Sequence, residues 1–117
     1  VSEELGALYE KQLSFQKELN KDYDLPRADQ ERYDFYLQYL QDEVDELSDA
    51  DNYCWLYRNN LKKLKYSEEK RLKELADVII VAINLAIYSG IDSSTLFRII
   101  DGKIDENYKK HILINRY

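Results

Sequence analysis

Cysteine and histidine each occur once in the 117 residues, as Cys54 and His111. A single cysteine cannot close an internal disulfide, and the two singletons exclude the cysteine and histidine zinc sites that hold small domains together. They leave little room for a Cys-His nucleophile pair, so acid-base chemistry falls to carboxylates, lysines or tyrosines. No surplus of positive charge exists either: the formal charge is -6, which disfavours a nucleic-acid polymer as partner. The longest apolar run, Val78 to Ile83, resumes after Asn84 but stays short of the roughly 18 to 20 residues that cross a bilayer, so no membrane partner is expected. No signal peptide is legible and the cysteine usage fits a reducing compartment, so a cytoplasmic location is the expectation.

Three glycines and one proline are all that punctuate the chain, and the apolar spacing between them is mainly helical. The expected fold is all-α: one domain over residues 1–117, a compact bundle of about four or five helices. Leu5, Leu8, Tyr9, Gln12, Phe15, Gln16 and Leu19 form the stripe of a first helix from Ser2, its candidate N-cap, to about Lys21. A loop over Asp22 to Arg27 holds Pro26, and Asp29 caps a second helix predicted over Gln30 to Asp49, with Tyr33, Tyr36, Leu37, Leu40, Val44 and Leu47 on its apolar face. Periodicity weakens from Ala50 to Tyr66. A main helix is predicted from Ser67 to the glycine at position 90; its second half is apolar nearly all round, which calls for burial against a partner chain as well as its own core. Asp92, Ser93 or Ser94 caps a short helix with Leu96, Phe97, Ile99 and Ile100, predicted to break at Gly102. The tail with Lys103, Asn107, Lys109, Lys110, His111 and Arg116 is basic and a candidate to meet phosphate.

Glu74, Asp77 and Asn84 interrupt the main helix at spacings of three and seven, on one face and beside a core that rejects charge. Glu43 and Glu46 form a second pair, three apart, flanking the stripe of the second helix. Packed side by side, the two helices bring four carboxylates together, and such a cluster repels itself unless a cation neutralises it. Oxygen ligands that leave room for water and phosphate suit Mg²⁺, with Mn²⁺ as an alternative. Asn84 adds a buried amide that requires partners.

The order Glu43-Val-Asp-Glu46, a gap of 27 residues, then Glu74-Leu-Ala-Asp77 resembles the Glu-x-x-Glu and Glu-x-x-Asp metal motifs of the all-α nucleoside triphosphate pyrophosphohydrolases. MazG-like enzymes, dimeric dUTPases, dCTP pyrophosphatases and phosphoribosyl-ATP pyrophosphohydrolases form that superfamily, and the likeness spans about residues 31–110. It implies Mg²⁺-dependent cleavage of a nucleoside triphosphate between its α and β phosphates, with Glu43, Glu46, Glu74 and Asp77 as metal ligands and catalytic carboxylates. It also implies a homodimer or homotetramer. Gln16-Lys-Glu-Leu19-Asn20 resembles the first helix of the dimeric dUTPases, whose polar side chains approach the base, and Trp55 stands where that branch has an aromatic. Gly102-Lys103, Asn107 and Lys110 are similar to its phosphate-contacting segment. Ile80, where that branch often carries histidine, and the short chain bring the likeness closer to the MazG-like enzymes. Two other assignments compete: a phosphoribosyl-ATP pyrophosphohydrolase-like enzyme, and a non-catalytic helical interaction module whose acidic pairs are salt-bridge partners.

Overall fold

The computed structural model describes residues 2–21 and 24–113. Four helices follow one another: α1 (Ser2–Leu19), α2 (Gln30–Leu56), α3 (Leu61–Ile87) and α4 (Ser93–Tyr108), the last running into a π-helical turn, Lys109–Leu113. No strand is present among the described residues, and the all-α bundle expected from the sequence is what the chain forms. Each of the later helices starts on a side chain that takes up an otherwise unpaired backbone donor. Asp29 accepts from the Arg32 N–H, Asn60 from that of Lys63 and Asp92 from that of Thr95. Hydrogen bonds from Thr95 and Ser94 hold the Asp92 carboxyl below its ordinary range. The N-cap position of α1 and Arg116 lie outside the described residues.

Three boundaries differ from those expected. α2 continues past Asp49 to Leu56, and α3 begins at Leu61 rather than Ser67, so the weakly periodic stretch is mostly helix with a short turn. The side chains buried there are small, namely Ala50 and Cys54 on α2 and Ser67 on α3, and such a contact carries no apolar stripe to read. Ser67 is no cap: its hydroxyl donates to the Lys63 carbonyl one turn earlier. α4 runs through Gly102 without a break. A helical glycine costs only about 1 kcal/mol relative to alanine, and Ile100 and Ile104 carry the apolar spacing across it.

The core lies at one end of the molecule. Tyr9 and Leu13 of α1, Leu25 of the connecting segment and Ala86, Ile87 and Tyr88 at the end of α3 are buried together, with Tyr33, Tyr36, Ile83, Ile91, Leu96 and Phe97 packed around them. The Tyr9 ring meets Phe97 edge-on, and its hydroxyl donates to the Ile91 carbonyl. The segment before α2 is clamped to the end of α3: the Asp29 N–H donates to the Tyr88 carbonyl, and Ala28 bridges Ser89. From this end α2 and α3 project as an antiparallel hairpin. The molecule is correspondingly flat, 50 × 49 × 26 Å.

Gly90 makes the clamp possible. Its φ is +81°, and a Cβ there would stand 2.9 Å from the Ala28 backbone nitrogen. Gly90→Ala should therefore lower stability by about 2 kcal/mol or more, the combined cost of left-handed backbone and steric conflict, read as a lower midpoint in urea unfolding.

Candidate metal centre

Glu43 and Glu46 share a face of α2 because three residues span about 300° of helical turn. Glu74 comes to them from α3, which runs antiparallel beside α2. One oxygen from each of the three carboxylates lies within 4.8 Å of the others. Glu43 is only 6% exposed and Glu74 half-buried. Glu43 Oε2 and Glu74 Oε2 are both shut away from solvent without a hydrogen-bond partner. A buried carboxylate oxygen without a donor is among the costlier groups a protein can hold. The site responds by favouring protons. Burial first, then the charges of Glu46, Asp77 and Glu74, push the Glu43 carboxyl above its ordinary range. Burial and the charge of Glu46 do the same to Glu74. Glu46 and Asp77 act on both. Tyr39, one turn before Glu43, has its phenol raised chiefly by the Glu43 charge. Three carboxylates at this separation, two of them with an oxygen lacking a donor, fit a hard divalent cation that keeps part of its water shell.

Asp77 is exposed and stands outside the group of three, on the wall of an adjoining cavity. That cavity has a volume of about 460 Å³ and lies among α1, α2 and α3, with Glu43 and Asp77 at its acidic end. Amides line another part. Gln12 Nε2 donates to Asn84 Oδ1 at 2.8 Å, and Asn84 is buried as its place in an apolar helix suggested. Gln16 is buried too, its Oε1 accepting from the hydroxyls of Tyr88 at 2.6 Å and Tyr36 at 3.2 Å. The Tyr36 and Tyr88 rings stack 5.5 Å apart. Asn20 donates to the Tyr88 hydroxyl and so adjoins this network without lining the cavity. Phe35, Tyr36 and Tyr39 of α2 supply an aromatic wall.

The remaining sequence candidates lie elsewhere. Trp55 is 69% exposed, about 18 Å beyond Glu43 along α2, with the Arg58 guanidinium over its ring. Lys103 and Asn107 are exposed on α4, which packs on α1, Lys110 is exposed on the π-turn that follows, and none of them lines the cavity. Lys103 pairs with Glu106 one turn later. Sequence reasoning missed the aromatic wall and Gln12 as parts of the cavity. One signal was present: Gln12, Gln16 and Asn20 recur every four residues within the apolar stripe of α1, a polar row where burial is expected.

No protein-family model, no curated protein and no solved structure matches this chain.

The raised carboxyls give stability a definite pH dependence. A carboxyl whose folded pKa exceeds its unfolded value stabilises the fold below that unfolded value, near 4.5, and loses this contribution as pH rises through the folded value. In chelator, Glu43→Gln should therefore melt above the wild type by about 2–5 °C at pH 7, with the gap closing toward pH 4.5. In millimolar Mg²⁺ the order should reverse, because only the wild type gains from the cation. Thermal melts across pH with and without metal check both signs.

Proposed function

We propose that this chain is a divalent-cation-dependent nucleoside triphosphate pyrophosphohydrolase, cleaving its substrate between the α and β phosphates to a monophosphate and pyrophosphate. One observation carries it: Glu43 Oε2 and Glu74 Oε2, buried and without donors in a three-carboxylate cluster, adjoin a cavity of about 460 Å³ with amide and aromatic walls. Surface acidic pairs, as an interaction module would carry, have no reason to be buried from water.

Glu43, Glu46 and Glu74 are the residues that would hold the cation, and Mg²⁺, when bound, supplies positive charge to phosphate oxygens and acidifies water. Asp77 lies beside the cluster and open to the cavity, so it is the carboxylate free to take a proton from the attacking water. The side chains of Gln12, Gln16 and Asn84 turn donors and acceptors toward the cavity, where they orient the edge of a base. Phe35, Tyr36 and Tyr39 offer ring faces to its plane. The charge of Glu43 raises the Tyr39 phenol further, so this ring does not add to the negative charge. Gln16 is held in one orientation by Tyr36 and Tyr88, and Asn20 holds Tyr88 in turn, so a specificity contact here is fixed before substrate arrives.

Pyrophosphate release from a panel of deoxyribonucleoside and ribonucleoside triphosphates, dUTP and phosphoribosyl-ATP, with and without Mg²⁺, tests the proposal. The expected result is metal-dependent turnover of at least one triphosphate, lowered by about 100-fold or more in Glu46→Ala and in Asp77→Ala. Turnover of phosphoribosyl-ATP alone would reassign the substrate. Full activity of either variant, or no turnover of any nucleotide, would overturn it.

A further inference from the structure

The turn that joins α2 to α3 is the projecting end of the hairpin, and its composition is unlike that of the rest of the chain. Between Asp51 and Glu68 four residues are basic, Arg58, Lys62, Lys63 and Lys65, and none is acidic. The whole chain is -6, so everything outside this stretch sums to -10. All four basic side chains are exposed, and none pairs with a carboxylate among the described residues. Large apolar side chains surround them. Tyr53, Trp55, Leu56, Leu61 and Tyr66 are each more than half exposed, Leu61 at 84%. Tyr53 and Trp55, two residues apart, lie about 200° apart around α2, with Cys54 buried between them. The apolar groups therefore ring the apex on both flanks and do not line a single track.

We infer that this apex docks on the surface of an anionic lipid bilayer, with Trp55, Leu56 and Leu61 entering the headgroup layer and Arg58 and the three lysines meeting its negative charge. Segments that lie in the interface combine Lys and Arg, whose aliphatic stems rest on apolar surface, with Trp, Tyr and Leu. No described helix is long and apolar enough to cross a bilayer, which leaves contact at its surface open. The acidic remainder of the chain does not oppose such docking. Glu68 and Glu69 lie roughly 10 Å or more behind Leu61 along α3, about one Debye length at physiological ionic strength, and Asp51 is paired with Arg71. Single-stranded nucleic acid also seeks cations and rings, but it stacks its bases on open ring faces. Here Arg58 covers a face of Trp55, Lys63 covers a face of Tyr57, and Tyr53 and Tyr57 stack on each other. A leucine 84% exposed gives a base no ring to stack on, and a strand longer than the apex would run onto acidic flanks. This inference is independent of the chemistry proposed for the acidic cluster.

Trp55 is the only tryptophan, so its fluorescence reports on the apex directly. The test mixes the full chain with vesicles of phosphatidylcholine containing about 30% phosphatidylserine, and with vesicles of phosphatidylcholine alone, at about 0.15 M salt. The expected result is co-sedimentation with the anionic vesicles at least about 10-fold tighter than with the neutral ones, a blue shift of Trp55, and loss of both at about 0.5 M salt. Lys62→Glu combined with Lys65→Glu should weaken binding by about 10-fold or more, and Leu61→Ser by about 3-fold or more. Lys109→Glu combined with Lys110→Glu, on the π-turn, should leave it intact. All these positions are exposed, so the variants keep the wild-type melting temperature, and the lipid and salt dependence of the wild type needs no variant. Binding to neither vesicle, equal binding to both, binding that survives in the apex pair, or binding lost in the π-turn pair would overturn the inference. So would quenching of Trp55 by an oligothymidylate of about 20 residues in a chain that ignores vesicles, which would make the apex a strand-binding surface.

Discussion

Two carboxylate oxygens buried between α2 and α3 without donors set the terms for the rest of this structure. Glu43 and Glu74 cannot both stay ionised and unpaired at that depth without drawing in protons or a cation. The residues around the cavity bring amides, aromatic rings and a further carboxylate, and Lys70 only partly offsets the charge beside Glu74. A fold that wanted only stability would place an arginine there. The ion pairs formed by Arg71 with Asp51 and by Lys103 with Glu106 are at exposed positions away from the cluster, where an ion pair adds little to stability. Protons or a cation would offset the charge that remains.

The tyrosine and amide network beside the cluster obeys the opposite rule. Gln16, Asn20, Tyr36 and Tyr88 satisfy one another through hydrogen bonds of 2.6–3.2 Å. Tyr88 also belongs to the core, so Gln16 and Tyr36 on the cavity wall are tied by hydrogen bonds to a side chain that holds α1 against α3. A fully paired polar network of this kind is rigid and specifies one arrangement. The cavity thus combines a hydrogen-bonded wall of amide and tyrosine side chains with an acidic end.

The sequence disclosed most of this where residue type and position conflict. Glu43 and Glu74 beside apolar stripes, and Asn84 inside one, are polar groups at positions that burial should exclude, and they do lie in the core or at the site. The helix order, the caps at Asp29 and Asp92 and the turn at Gly90 follow from local chemistry and were legible for the same reason. What was not legible depends on partners distant in sequence. The extent of α2 and the start of α3 rest on Ala50, Cys54 and Ser67, small residues whose burial has no periodic signature. Phe35, Tyr36 and Tyr39 read as ordinary helix aromatics until α1 closes over them. Trp55 and the lysines of α4 and its π-turn carry suggestive spacing, but spacing along one helix does not say which cavity the helix borders.

Stability and chemistry are distributed unevenly along α2 and α3. Their junction with α1 and α4 holds every large side chain that is fully buried, Tyr9, Tyr88, Ile87 and Gln16, whereas the acidic cluster begins where that core ends. Helices of 27 residues draw their persistence from tertiary packing more than from propensity. Beyond Glu43 and Glu74 the buried side chains of the hairpin are small, with Leu47 and Leu64 half-buried and an exposed apolar flank outside them. The relative position of the two glutamates, on opposite helices, is therefore set from one side only. Anything that presses the outer flank together fixes the distance between Glu43 and Glu74 from the other side. Charge at the carboxylates acts on that same helix pair.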